Sequence, residues 1–174
     1  MSWIDRLDRI LGHLLAALLA LAVLAVLWQV VSRYALGDPS SFTDELVRYV
    51  MVWLGLLGGA YALGRRLHLA IDLLPSRLEA AARRRLDAAV YGLIALFALA
   101  VMVYGGGRLV VLTLALGQRS AALGLPLGYV YTVVPLSGLI ISIYAVASIA
   151  GAGPRAVALG GADGPGSEAV GGAG

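Results

Sequence analysis

Neither lysine nor cysteine occurs in this chain of 174 residues. Without cysteine there is no disulfide framework and no thiolate metal or redox centre. Charge of either sign is scarce, at 13% of residues, where an average soluble domain carries about 25%. With 60% hydrophobic residues and a mean hydropathy of +0.89, a water-soluble all-α core would lack the polar surface to cover itself. Long apolar stretches take the place of charge. No charged residue interrupts 14–32, 49–64 or 88–107, and none occurs between Arg119 and Arg155. A bilayer core about 30 Å thick needs roughly 20 such residues as a helix, and in lipid only a helix or a closed barrel satisfies every backbone polar group. The expected fold is all-α: an integral-membrane four-helix bundle over residues 1–150, followed by a disordered Gly/Ala-rich tail at 151–174.

All thirteen basic residues are arginine, and their placement sets the expected orientation. Arg6, Arg9, Arg65, Arg66, Arg77, Arg83, Arg84, Arg85 and Arg155 fall on one side of the four spans. Arg33, Arg48, Arg108 and Arg119 fall on the other, beside Asp38, Asp44 and Glu45. Positive charge stays cytoplasmic in short loops, so both termini are expected inside. The formal net charge of +3 flanks spans instead of forming one basic face, which argues against nucleic acid. The first apolar run continues through Val30 and Val31 with no small-residue cleavage motif, so it reads as a retained helix and not a signal peptide.

Trp3, Ile4, Leu7, Ile10, Leu11 and Leu14 recur at helical spacing, with Asp5, Arg6, Asp8 and Arg9 assigned to the opposite face. That pattern predicts an interfacial lead-in helix with Trp3 at headgroup level and Ser2 with Asp5 as a capping pair. Residues 37–41 form a turn cluster, after which Ser41 or Thr43 is expected to cap the second helix. Asp44 and Glu45 then sit near its positive dipole end, serving either as caps or as a docking surface. Between helices two and three an amphipathic helix is expected in the membrane interface. Pro75 interrupts its stripe, and Ser76 to Glu79 form a capping box that restarts it. Arg65, Arg66, Arg77, Arg83, Arg84 and Arg85 would meet anionic lipid there. Gly105, Gly106 and Gly107 should weaken helix three near its far end, and Pro135 should kink helix four.

A solute pathway would normally show ionisable groups inside the spans, and none is central in any of the four. The central polar residues Gln29, Thr132, Ser137 and Ser142 are expected to make helix–helix hydrogen bonds. His13 and His68 lie near one membrane edge, where facing haem ligands would not, and His68 with Asp72 at i,i+4 fits a local hydrogen bond. No zinc, P-loop, dinucleotide or Ser-His-Asp pattern occurs in a suitable context. Neither a cofactor nor an enzymatic activity is expected. Gly55 and Gly59, with Gly58 and Ala60 alongside, permit close approach of another helix.

The run Arg33-Tyr34, then Ser41-Phe42-Thr43-Asp44-Glu45-Leu46-Val47-Arg48-Tyr49 and Val52-Trp53-Leu54-Gly55-Leu56-Leu57-Gly58, resembles the small membrane subunit of tripartite ATP-independent periplasmic (TRAP) transporters, the DctQ-like family. So do the basic turn from Arg65 through His68 to Asp72, Leu73 and Leu74, and the stretch from Ala121 to Tyr131 with Pro135. Phe42 and Asp44 stand where Trp and Glu are commoner, and Leu67 replaces a frequent small residue. The resemblance implies a scaffold without a substrate or ion site of its own. Its expected partners are a separate large elevator-type subunit, driven by a sodium gradient, and a periplasmic solute-binding protein that delivers an organic anion. It places Arg33, Asp44, Glu45, Arg48, Trp53, Gly55, Gly59, His68 and Asp72 at the partner interface. Alternative readings are an assembly subunit of an unrelated inner-membrane complex, a small haem or electron-transfer protein, or a four-helix exporter. The last would need a membrane-embedded carboxylate.

Overall fold

The structure, a computed structural model, describes residues 3–38, 40–65 and 80–150. The expected Ser2 cap, the interfacial helix with its capping box, Arg66, His68, Asp72, Arg77 and the tail lie outside the described residues, as do the side chains of Trp3, Arg83 and Arg84. Among the described residues four helices are long and apolar enough to cross a membrane: Ile4–Tyr34, Ser41–Gly64, Arg85–Ala115 and Leu127–Ile149. This is the expected all-α membrane bundle.

The first span is one helix, α1 (Trp3–Tyr34), of 32 residues, about 48 Å at 1.5 Å per residue. The lead-in is therefore its first turns and not a separate helix. Ile4 and Leu11 are buried as the periodicity predicts, whereas Ile10 is exposed. Asp8 reverses the expected face: it is buried beside Ile4 and Leu11, because a guanidinium and a phenol from other helices supply its hydrogen bonds. Gly37, at φ +68, closes the turn after α1, a left-handed conformation natural to glycine. The second span, α2 (Ser41–Gly64), is capped by Ser40, not by Ser41 or Thr43. The Ser40 hydroxyl accepts the Thr43 amide at 3.4 Å, and the Thr43 hydroxyl donates back to the Ser40 carbonyl at 3.0 Å.

The third span joins α3 (Ala80–Phe97), a π-helical segment (Ala98–Gly105) and α4 (Gly106–Ala115) without interruption. The glycine triplet does not end it. At Gly106 a Cβ would come within 2.7 Å of Val134 Cγ1 and 3.1 Å of Pro135 Cδ, so the missing side chain is a close helix contact. The fourth span is split into α5 (Leu127–Tyr131) and α6 (Val133–Ile149). The break at Thr132 falls where Pro135 cannot donate to the carbonyl four residues back, at Tyr131, and its ring crowds that carbonyl. The proline thus marks a break in the helix, where a kink was expected.

The spans stand in the order one, two, four, three: α1 packs on α2, α2 on α6, and α6 on α3 and the π-helical segment. The fourth span is the most enclosed, and its small residues explain why. A Cβ on Gly138 would lie 2.6 Å from Met102 Cβ and 3.1 Å from the Ala98 carbonyl, and one on Gly128 would collide with Leu114. Lipid tails match leucine in apolarity, so close approach of this kind is what drives helix association. Ser137, Ser142 and Thr132 do not cross to other helices as expected. Their hydroxyls donate to the carbonyls of Val134, Gly138 and Tyr129 on their own turns, the least costly way to satisfy a hydroxyl in a helix. Gln29 does bridge helices, donating to Asp44 Oδ1 at 3.1 Å.

Gly138→Ala is expected to overpack the seam between the third and fourth spans and destabilise the chain by about 1–3 kcal/mol. Gly55→Ala, where a Cβ meets nothing within 4 Å, should not. Thermal unfolding of the detergent-purified proteins checks this; equal melting of the two variants would contradict the seam.

Candidate functional site

Polar side chains gather at the two ends of the bundle. At one end Glu45, in the second turn of α2, points to the connection between the third and fourth spans. That connection is folded on itself: Ser120 N–H donates to the Leu125 carbonyl at 2.8 Å and Leu127 N–H to the Gln118 carbonyl at 3.0 Å. Gly117 and Gly124 take φ of +62 and +63 at its bends. The result is a turn whose successive amides at 121–123 face one point. Glu45 occupies that point. Its Oε1 accepts the Ala121 amide at 3.2 Å and the Tyr49 hydroxyl at 2.7 Å, and its Oε2 accepts Ala122 and Leu123 at 2.8 Å each. A row of backbone N–H groups is a natural anion seat, and hydrogen bonds to an ionised acceptor are the strong ones. Glu45 is therefore neither a cap of α2 nor paired with Arg33 or Arg48 here; it ties the far loop to the second span.

Asp44 turns the other way. It pairs with Arg48 at 3.2 Å, both side chains being mostly exposed, and receives Gln29. Arg33 is exposed at the end of α1. Trp53, half-buried, donates its indole N–H to the Val130 carbonyl at 3.1 Å, so it straps the second span to α5. Gly55 and Gly59 face open space. Of the remaining expected interface residues, His68 and Asp72 lie outside the described residues.

At the opposite end Asp8 Oδ2 meets Arg65 Nε at 2.7 Å and Asp8 Oδ1 accepts the Tyr144 hydroxyl at 3.3 Å. Arg65 also lies over the Tyr61 ring, 4.9 Å from its centroid, within cation–π range. Partial burial works against the Arg65 charge, but the hydrogen bond and charge of Asp8 outweigh it, so the guanidinium holds its proton more firmly than usual. Arg65, expected at the lipid interface, is thus also the tie between α1 and α2. Gly64 admits the Tyr144 ring, whose nearest atom would stand 2.7 Å from a Cβ. Arg85 is exposed at the start of the third span. His13 is held by its own helix, Nδ1 lying 2.7 Å from the Arg9 carbonyl. Among the described residues no group of three His, Cys, Asp or Glu side chains is arranged to hold a metal.

Residues 22–153 match the family model described as the DctQ component of tripartite ATP-independent periplasmic transporters. The chain belongs to the DctQ family. Among curated relatives, the ectoine TRAP transporter small permease protein TeaB of Halomonas elongata is 31% identical over 79% of this chain and 72% of its own length. A putative TRAP transporter small permease protein of Haemophilus influenzae is 32% identical over 41% of this chain and 45% of its own. The sialic acid TRAP transporter small permease protein SiaQ of Vibrio cholerae is 40% identical over 36% of each. The alignments with these last two span less than half of either relative's length. The family match contains both Glu45 and the loop it binds, so this DctQ member carries the tie within its family region.

Glu45→Gln and Glu45→Ala are expected to speed hydrogen exchange at the Ala122 and Leu123 amides, while Asp44→Ala leaves them unchanged. Exchange mass spectrometry on the loop reads this directly, and unchanged protection in Glu45→Ala would contradict the tie. At the other end, Arg65→Ala strands the buried Asp8 carboxylate. It should cost about 1–3 kcal/mol, the arginine being partly in water. Arg48→Ala, which breaks an exposed pair, should cost under about 0.5 kcal/mol; comparing the two melting curves checks the ranking.

Proposed function

We propose that this small permease subunit is the static scaffold of a TRAP system, beside a separate large membrane subunit that carries the solute by an elevator-type motion. The observation that carries the reading is the lining of the groove between three of its helices. The groove between α2, α3 and α6, about 540 Å³, is lined by Gly59, Leu63, Ile94, Phe97, Met102 and Ile141 among others and has no ionisable side chain. An organic anion or a coupling cation would need charged or carbonyl partners at that depth. The carboxylates that link separate parts of the chain instead lie toward the two ends, Asp8 with Arg65 and Tyr144 at one, and Asp44 with Gln29, beside Glu45, at the other.

The transported solute is a carboxylate-bearing organic molecule, driven by a sodium gradient and captured first by a periplasmic binding protein. The named solutes of two relatives, sialic acid and ectoine, both belong to that chemical class. Both termini are cytoplasmic, supported by the nine arginines on that side of the sequence against four on the other. The basic residues from Arg65 to Arg85 attract anionic lipid of the inner leaflet.

Reconstituted alone, the chain is expected to be silent to sodium gradients and organic acids; uptake should require the large subunit and the binding protein together. Sodium-driven uptake by the lone subunit would overturn the scaffold reading. The natural absence of cysteine makes topology testable: Ser40→Cys should react with an impermeant thiol reagent in spheroplasts and Ser2→Cys should not, and the reverse pattern would invert the orientation.

A further inference from the structure

Arg108 is the one charged side chain that the third span carries through its apolar half. Because the span runs on to Ala115, Arg108 lies seven residues inside it, about 10 Å from its end. The contacts with the fourth span fix its depth. Gly138, the midpoint of Leu127–Ile149, meets Met102, Gly106 meets Val134 and Pro135, and Gly128 meets Leu114. Arg108 is then level with Val133, about 8 Å from the middle of an apolar layer whose half-thickness is about 15 Å. It is exposed and makes no hydrogen bond or ion pair with any described residue.

Arg48 is the instructive contrast. It also lies seven residues inside its span, but α2 begins at that end of the bundle and helical side chains lean toward their helix N-terminus. Arg48 thus leans outward, and Asp44 accepts it. The third span runs the opposite way, so Arg108 leans toward the membrane middle, away from the nearer layer of lipid phosphates. An exposed guanidinium rooted at this depth in hydrocarbon, on a Cα–Cβ bond that leans away from the nearer surface, is costly and is normally paired. Around it the surface is concave. The wide turn of the π-helical segment and the bare backbone of Gly105 and Gly107 leave a recess of about 870 Å³, flanked by Tyr104, Val111 and Leu112. A Cβ on Gly107 would meet nothing within 4 Å, which lets another helix backbone approach closely.

We propose that this face of the third span is where the large membrane subunit docks, with a carboxylate of that subunit accepting the Arg108 guanidinium inside the membrane. The inference rests on the scaffold reading above. The charge defines the partner's chemistry: an acidic side chain on an otherwise apolar helix, at the depth of Val133.

The test uses the full chain, tagged and co-expressed with its large membrane subunit. Arg108→Ala and Arg108→Glu are expected to reduce the co-purified large subunit about tenfold, with Arg108→Lys retaining more. Since Arg108 makes no hydrogen bond or ion pair with a described residue, the melting temperature of the isolated subunit should change little, which separates lost docking from unfolding. Val111→Cys, carrying a photoactivatable benzophenone, should form adducts with the large subunit, and Leu24→Cys on the first span should not. Wild-type co-purification by the Arg108 variants, or adducts from Leu24→Cys in place of Val111→Cys, would overturn the docking face. Adducts to phospholipid alone would assign Arg108 to lipid phosphate and equally overturn it. If the wild-type chain brings down no large membrane subunit, the scaffold reading itself fails.

Discussion

In hydrocarbon an apolar side chain gains nothing by leaving lipid for another helix, so four spans stay together only where their backbones come unusually close. In this chain that closeness is concentrated on the fourth span. Gly138 and Gly128, and Gly106 facing them from the third span, each sit where a single methyl would meet a neighbour, and Ser137, Ala145 and Ala147 are small residues buried elsewhere around the fourth span. The second and third spans are then each packed against the fourth, and the first is added by its contact with the second. A row of helices with a slim central member leaves its two end helices widely open to the surroundings, as the exposed Leu24, Leu27 and Trp28 of the first span and Val111 and Leu112 of the third indicate.

Packing alone leaves sliding and rotation free, since apolar contacts have no direction. The ends of the bundle supply direction through charge. Asp8, Arg65 and Tyr144 come from three helices and meet at one end; Glu45 gathers three backbone amides and Tyr49 at the other. Both ties use carboxylates near the membrane boundary, where the ionised form is tolerable and its hydrogen bonds are stronger than in water. Bracing at both ends in this way is consistent with the scaffold role proposed above.

The number of spans and the family were legible in the sequence because each rests on composition over 16 residues or more, or on ordered short motifs. The span lengths were not, since the first and third helices continue past the charges that bound their apolar runs, to 31 residues each. Individual polar destinations were less legible. Asp8 looked like one of four solvated charges, since nothing near it in sequence announces Arg65, which lies 57 residues on. For Glu45 the sequence leaves a helix cap and a docking surface open, because the amides it binds lie 76 to 78 residues away, in a stretch of alanine and leucine that marks the family but names no partner. That loop did carry a signal: the amides of an apolar turn at the membrane edge all need acceptors, and its own carbonyls take up only some of them. The glycine triplet was read as weakness because helix propensity describes an isolated helix, whereas Gly106 serves a neighbour. Nothing in composition marked the π-helical segment.

The carboxylate of Glu45 and the amides of residues 121–123 also set an order of events. A ribosome delivers the second span long before the turn that it binds, so during synthesis Glu45 waits with only Tyr49 as its neighbour on the same helix. The turn takes shape by pairing Ser120 with Leu125 and Gln118 with Leu127, and Leu127 is already the first residue of the last membrane-crossing segment. The bond therefore forms only once synthesis has reached that segment. It is a fastening made late, joining a helix made early to a turn that follows it by 76 residues or more.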